Sequence, residues 1–380
     1  MVSPLARALF AGVLLFTGLV VSASAQAARS LHVRLEWRVD GDSADLSAVS
    51  AVTVGKDGTV AVALPQDHEV LILTPQGKEA GRFGRTGAGP GEFRQILWLG
   101  WRSDSIWVFD GVLKRAALFD PARKFVRTFR IPVSVDTRHS AGPPQASGIS
   151  PFRLLSGDSM VALGIASGAE PDSYHGVLFV TNVDGTAFKL LADFPPYDCY
   201  VDIRGRKTSV PFCSNARVAY SPDGGLVAVA EVDKADQARS SASFTLRVLG
   251  PRGDTLSTRR HRMATELLPA KLFEAAVSKL TDPSRVPPDI ASEIRGRLSK
   301  PTFYPALSSL FIGRDGTIWA GRTGGEGISW LVIDSGGREI GTLTLSKALR
   351  VVAVAQGRMW AVETSDSGVE SIVQFRVGPR

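Results

Sequence analysis

The amino-acid sequence predicts an all-β protein: a six-bladed β-propeller whose last blade is closed by the N-terminal strand, with a small helical insertion between blades four and five. Three observations lead to this prediction. A short turn followed by an apolar strand recurs six times in the 380 residues. The sixth repeat ends one strand short of the others, while a strand near the N-terminus belongs to no repeat. The chain also contains 38 Gly and 22 Pro, which favour many turns over long helices.

Each repeat places two turn residues before an almost wholly apolar strand. In every copy the second residue after the turn pair is aliphatic or Met, and in three copies Trp comes next, at Trp107, Trp319 and Trp360. A turn followed by a strand that is apolar on both faces indicates a hairpin that enters a buried strand. The six turns begin at Asp57, Ser103, Gly157, Asp223, Asp315 and Gln356.

The end of the chain predicts how the ring closes. Five repeats continue through a second turn into a more polar strand, but the sixth stops because the chain ends. Residues 31–38 alternate apolar and polar and could serve as the missing strand. Pairing them with the third strand of the last repeat would remove an exposed sheet edge. We therefore expect one propeller domain over residues 31–380.

Residues 264–300 interrupt the repeat between blades four and five. Apolar residues recur there at helical spacing, Pro287 and Pro288 follow, and a second short run has apolar residues four apart. Two helices are the expected result. They would cap one end of the channel as a lid or pack on its side. The apolar positions are Leu267, Leu268, Leu272, Phe273, Ala276, Val277 and Leu280, then Ile290, Ile294 and Leu298.

Residues 1–25 have the pattern of a cleaved signal peptide. Arg7 precedes an apolar run, and Ala23 and Ala25 provide the small residues that a signal peptidase requires. The run is short for a membrane span, although a retained anchor is the alternative. We therefore expect no transmembrane segment and a periplasmic or extracellular location. The formal net charge of +7 suits solubility or contact with anionic surfaces.

The two cysteines, Cys199 and Cys213, lie in one short segment. In an exported protein an isolated pair is expected to form a disulfide. A redox or metal pair is the alternative, but the Cys-x-x-Cys spacing of such pairs is absent. We also expect the bridged segment and the helical insertion to lie on the same face and to shape one pocket.

The segment Gly81–Phe93 resembles a signature of bacterial exported six-bladed β-propellers related to NHL-repeat proteins. In that family the segment links the outer strand of one blade to the inner strand of the next, which implies that Phe93 fills the core between two blades. A later stretch around Tyr304–Leu307 and Gly316–Trp319 resembles the same group. The resemblance implies the fold; known relatives include binding modules and some enzymes, so it leaves the function open.

The chemistry of a metal site is only weakly represented. No pair of the five histidines has a metal-ligand spacing. Propeller lactonases resemble this fold and hold a metal with Glu, Asn and Asp around the pore. Carboxylates near the ends of second strands are the candidate ligands for a hard cation. These candidates are Asp67, Glu69, Asp110 and Glu231.

The sequence therefore predicts a binding or scaffold module with no catalytic residues and no cofactor. We expect a monomer that binds a protein, a glycan or a small ligand on its loop face. We expect no nucleic-acid partner, because an exported protein reaches a compartment that is poor in RNA. The alternative is a metal-dependent hydrolase or lactonase with its site at the channel mouth and a divalent metal as cofactor.

Overall fold

The computed structural model describes residues 29–42, 44–46, 48–136, 145–155, 158–167, 174–186, 188–194, 199–233 and 241–379. The predicted signal peptide, residues 1–25, lies outside these ranges, as does Gly157 of the third predicted turn. Strands dominate the described residues and only two helices occur among them, so the all-β prediction is confirmed.

The described chain begins with a long strand, β1 (Arg29–Val39). Two antiparallel sheets follow, in which each strand pairs with the next along the chain. The first sheet consists of β2 (Ala51–Val54), β3 (Val60–Leu64), β4 (Glu69–Leu73) and β5 (Glu79–Phe83). The second consists of β6 (Ile96–Arg102), β7 (Ser105–Asp110), β8 (Arg115–Phe119) and β9 (Phe125–Arg130). All five residues of β3 are buried, as expected for a strand after a repeated turn.

The third and fourth sheets have the same antiparallel order, and a hairpin separates them. The third consists of β10 (Ser134–Asp136), β11 (Gln145–Leu154), β12 (Ser159–Ser167), β13 (Tyr174–Asn182) and β14 (Phe188–Phe194). The hairpin consists of β15 (Tyr200–Ile203) and β16 (Arg206–Ser209). The fourth sheet consists of β17 (Arg217–Tyr220), β18 (Val227–Val232), β19 (Ser241–Leu249) and β20 (Thr255–Ala264).

Two helices, α1 (Ala270–Leu280) and α2 (Pro288–Arg297), occupy the predicted insertion. The start of α1 differs from the apolar pattern, which began at Leu267. Pro269 precedes the helix with an extended backbone, and the proline ring disfavours the helical conformation of the residue before it, Leu268. Leu267 therefore lies outside α1 and is 68% exposed.

The last sheet contains eight strands in the order β21-β22-β23-β24-β1-β27-β26-β25. Its strands are β21 (Ser309–Ile312), β22 (Ile318–Thr323), β23 (Gly327–Ile333), β24 (Glu339–Ser346), β25 (Leu349–Ala355), β26 (Arg358–Thr364) and β27 (Glu370–Pro379). Strand β1 pairs antiparallel with β27 from Leu31 opposite Pro379 to Val39 opposite Ile372. The predicted pairing of the N-terminal strand with the last strand is confirmed.

The joining of β1 to β24 was not predicted. Arg29 and Ser30 pair in parallel with Gly341 and Thr342, which merges two four-stranded units into one sheet. Gly341 allows this approach, because a Cβ atom there would lie 2.7 Å from the carbonyl oxygen of Arg29. The pattern of polar and apolar residues does not show such a contact.

The core of the protein lies between neighbouring sheets. Phe93 is 1% exposed and packs between the first and second sheets, in the position that the family resemblance implied. Further apolar clusters join each sheet to the next, and the last returns to the first sheet, so the sheets form a closed β-propeller. Residues from both sides of each other junction belong to one cluster, for example Trp107 and Phe179, Leu178 and Val229, Phe244 and Leu331, Trp330 and Val373, and Val62 and Trp360.

Candidate functional site

A channel runs along the centre of the ring and is the candidate functional site. Residues from β2, β6, β11, β17, β21 and β25 line one cavity of about 370 Å³ in the channel. Its walls are mainly apolar, with Val52, Phe152, Leu310 and Val352 among them. The volume lies in the usual range of small-molecule sites, which are mostly apolar with a few placed polar groups.

Trp98 of β6 stands out among the channel residues. It is 51% exposed and lines both the central cavity and a second one of about 510 Å³. This second cavity marks the upper end of the channel, where the innermost strands begin. The pairing of β6 with β7 shifts register between Ile96 and Trp98. This irregularity leaves the neighbouring side chains of Leu97 and Trp98 both exposed, whereas a regular strand would alternate.

Polar groups gather at the lower end of the channel, where the innermost strands finish. A small cavity of about 140 Å³ there is lined by Arg153 of β11, Tyr220 of β17 and Arg314 of the turn after β21. The Nη2 atom of Arg314 donates a hydrogen bond of 3.0 Å to the carbonyl oxygen of Val54 at the end of β2. The Arg314 side chain therefore spans from the last sheet to the first.

The electrostatic environment of this lower end is mixed. Burial lowers the pKa of Arg314; the charges of Asp223 and Asp57 raise it, and that of Arg153 lowers it. Burial also raises the pKa of Tyr220 above its ordinary value, while the charge of Arg153 opposes that shift. The charge of Arg153 therefore acts on both Tyr220 and Arg314, its neighbours in the same small cavity.

A further cavity of about 400 Å³ lies beside the lower end, between β1 and the turns of the first sheet. Glu36 of β1 accepts hydrogen bonds from Arg358 (2.8 Å), Gln374 (2.6 Å) and Arg376 (2.7 Å). Partial burial alone would raise the pKa of Glu36, but these hydrogen bonds outweigh it and lower the pKa from 4.5 to about 2. The hydrogen bonds of Glu36 therefore connect β1 to β26 and β27.

Asp110 occupies a structural position. It is 1% exposed, and its Oδ2 atom accepts backbone hydrogen bonds from Arg94 and Gln95, of 2.6 and 3.3 Å. Its Oδ1 atom accepts two more, from Val112 (2.9 Å) and Leu113 (2.8 Å). The carboxylate thus joins the crossover before β6 to the turn after β7.

The other three metal candidates lie in different sheets or at exposed positions. Glu231 is paired with Arg247 at 2.6 Å, Glu69 lies 3.9 Å from Arg82, and Asp67 is exposed in the turn between β3 and β4. Within the described ranges, no three His, Cys, Asp or Glu side chains form a group able to hold a metal ion. The metal ligands predicted from the sequence therefore stay a prediction.

The disulfide hairpin and the helical insertion contact each other directly. Cys199 and Cys213 are bonded, which confirms the predicted disulfide. Arg204 of the hairpin pairs with Asp289 at 2.7 Å and with Glu293 at 3.0 Å, both in α2. Both segments follow an outer strand and precede an innermost one, so they share the upper face. The prediction that they lie on the same face is confirmed, and the shared pocket remains a prediction.

An apolar contact supports these ion pairs. The ring of Phe212, beside Cys213, meets that of Tyr304 edge to face, with centroids 6.1 Å apart. Phe273 and Val277 of α1 pack in the same cluster.

The described part of the chain contains no helix with the length and apolar character of a membrane-spanning segment.

The residues that concentrate at the channel were not singled out from the sequence. Trp98, Arg153 and Arg314 belong to three different sheets, and only the closed ring brings them near one axis. One signal was available: a basic residue stands directly before the turn pair in three of the six repeats, at Lys56, Arg102 and Arg314. Arg153 and Trp98 gave no comparable signal.

No protein-family model matches the chain, and no curated protein matches it by sequence. Among solved structures, a member of the DUF4221 family from Bacteroides vulgatus is similar, with a TM-score of 0.52 and 10% identity, covering 93% of this chain and 100% of that one. A putative exported protein from Bacteroides fragilis has a TM-score of 0.47, 12% identity and coverages of 92% and 95%. A PQQ-bound aldose sugar dehydrogenase from Streptomyces coelicolor has a TM-score of 0.45 and 12% identity, and the match covers 92% of this chain and 99% of that one.

Only the first of these similarities is close enough to bear on the architecture. At 10% identity it shows a shared fold over nearly the full length of both chains and no more. The ring of sheets and the strand pairing make the chain a β-propeller protein.

Proposed function

We propose that the chain is an exported propeller that binds a small ligand in its central channel, with Trp98 as the principal contact. The proposal rests on one observation: Trp98 is half-exposed and lines both the central cavity and the cavity at the upper end of the channel. An exposed indole ring offers a large, rigid apolar surface to a ligand. The other channel walls are mainly apolar and are formed by strands of the sheets, so the site is preformed.

The proposal includes six blades. Six innermost strands line one cavity, and the eight-stranded sheet counts as two blades, since only two residue pairs join its halves. The third sheet keeps the four-strand order and adds the short β10 at its edge. Export is supported by the signal-like residues 1–25 and by the disulfide, since disulfides persist in oxidising compartments.

Titration with N-phenyl-1-naphthylamine, a neutral apolar fluorophore, tests the proposal. We expect saturable fluorescence enhancement with the wild-type protein and its loss in Trp98→Ala. Leu256→Ala, which truncates a 53% exposed side chain on the outer strand β20, is the matched control and should bind as the wild type does. Equal binding by all three proteins would contradict the role of Trp98. Stoichiometric Ca²⁺ or Zn²⁺ in the purified protein would favour a metal-dependent hydrolase or lactonase instead.

A further inference from the structure

The small cavity at the lower end of the channel contains hydrogen-bond donors that lack an acceptor. The Nε and Nη1 atoms of Arg153 are buried and have no hydrogen-bond partner in the described part of the chain. The indole nitrogens of Trp101 and Trp107, which line the same cavity, are also buried without a partner there. Arginine and tryptophan side chains donate but do not accept hydrogen bonds. Since nearly all buried polar groups in folded proteins are satisfied, the cavity is suited to an acceptor.

The two arginine side chains that line the cavity favour an anionic acceptor over a neutral one. Arg314 lines it together with Arg153, so two guanidinium groups from different sheets meet there. The nearest acids, Asp57 and Asp223, are not part of the cavity lining; their charges act on Arg314, but each carboxylate is hydrogen-bonded within its own turn. Asp57 accepts hydrogen bonds from the backbone nitrogen and the hydroxyl of Thr59, at 3.0 and 2.8 Å. Asp223 accepts one from the backbone nitrogen of Gly225 at 3.1 Å.

The cavity is continuous with the apolar part of the channel. Phe152, Tyr220 and Arg314 line both the central cavity and this smaller one. A ligand whose apolar body lies against Trp98 would therefore direct a group at its lower end towards Arg153. Guanidinium groups bind carboxylate, sulfonate and phosphate oxygens through charge-assisted hydrogen bonds, which are about twice as strong as neutral ones.

We propose that Arg153 and Arg314 bind an anionic group, a carboxylate, sulfate or phosphate, at the lower end of the channel. This inference rests on the proposed binding role of the channel, because it assigns an acidic group to the ligand held there. The same chemistry would also accept a free inorganic anion, and the experiment separates the two sources.

Two fluorophores that differ by one charged group provide the test. 1-Anilinonaphthalene-8-sulfonate is N-phenyl-1-naphthylamine with an added sulfonate. We expect the wild-type protein to bind the sulfonate at least about tenfold more tightly than the neutral probe, since one charge-assisted contact is worth that factor. In Arg153→Gln the advantage of the sulfonate probe should become smaller, since Arg314 alone then remains to bind the sulfonate, while neutral-probe binding is unchanged and shows that the variant is folded.

Arg314→Gln is the second variant and should also reduce the advantage of the sulfonate probe over the neutral probe. With two variants, the test still gives a result if one of them does not fold. Arg338→Gln, which removes a 77% exposed guanidinium in the turn before β24, is the charge-matched control and should keep the advantage. Sulfate that displaces the sulfonate probe from the wild type but not from Arg153→Gln would indicate a site for free anions. If the sulfonate probe binds more tightly than the neutral probe and sulfate does not displace it, the site accepts an acidic group on a larger ligand.

Equal affinity for both probes in the wild type, without sulfate competition, would overturn the anion site. If the neutral probe still binds and depends on Trp98, the proposed function stands and only this inference fails. If sulfate binding depends on Arg153 while the neutral probe does not bind, the anion site stands and the proposed apolar channel site fails.

Discussion

The guanidinium group of Arg314 donates a 3.0 Å hydrogen bond to the carbonyl oxygen of Val54 and thereby links the turn after β21 to the end of β2. These two strands lie on either side of β25 at the channel axis, so the bond crosses the lower mouth. Arg314 also lines the central cavity and both of the cavities at this end. It therefore has a structural role in addition to its proposed ligand contact.

Replacement of Arg314 by Ala should lower the free energy of unfolding by about 1 to 2 kcal/mol, because hydrogen bonds from charged donors contribute on this order. Urea denaturation followed by circular dichroism measures the change. Arg338→Ala provides the comparison, since an exposed ion pair contributes less than about 1 kcal/mol. An equal effect of the two substitutions would show that the bond to Val54 is not stabilising.

Glu36 should make stability depend on pH at the closure of the ring. Its pKa falls from 4.5 to about 2 in the folded protein. A lowered carboxyl pKa stabilises the folded state above the unfolded pKa, and this stabilisation is lost as the pH falls through the folded value. The window is therefore between about pH 4.5 and pH 2.

Comparison of the wild type with Glu36→Gln measures this contribution. We expect the wild type to be more stable by about 1 to 2 kcal/mol at pH 6, because solvent around the 47% exposed Arg376 reduces the full effect of the shift. The difference should shrink at pH 2.5. A difference between the two proteins that is the same at both pH values would contradict the assignment.

Reduction of the disulfide between Cys199 and Cys213 should destabilise the protein by about 2 to 3 kcal/mol, as the chain-entropy argument gives for a short loop. The sequence separation is 14 residues. The untreated protein should show no reactive thiol before reduction and two after it, measured with a thiol reagent under denaturing conditions. Cys199→Ser combined with Cys213→Ser should reproduce the loss and make stability insensitive to reductant. Reactive thiols in the untreated protein would exclude the bond.

Much of the architecture was predictable because it depends on local patterns. The turn at Gly58 has φ +88°, which glycine adopts readily, and it leads into the fully buried strand β3. The pairing of β1 with β27 followed from a missing strand. The disulfide followed from Cys199 and Cys213 being an isolated pair.

The channel chemistry was not predictable in the same way. Exposure of Trp98 depends on the register irregularity in β6, and alternation in the sequence does not reveal where a bulge occurs. Arg153 and Arg314 lie far apart in the chain and meet only when the sheets have formed a ring. Asp110 shows why an acidic residue at a strand end is ambiguous in the sequence, since its carboxylate accepts hydrogen bonds from the backbone of the turn that follows.

Fluorine NMR of protein labelled with 5-fluorotryptophan tests the central claim most directly. The chain has seven tryptophans, and Trp98→Phe assigns the resonance of Trp98. On addition of N-phenyl-1-naphthylamine, the Trp98 resonance should shift, whereas those of Trp319 and Trp360, buried at 4% and 3% exposure, should not. Binding of the probe with an unchanged Trp98 resonance would contradict the account of the channel as the ligand site.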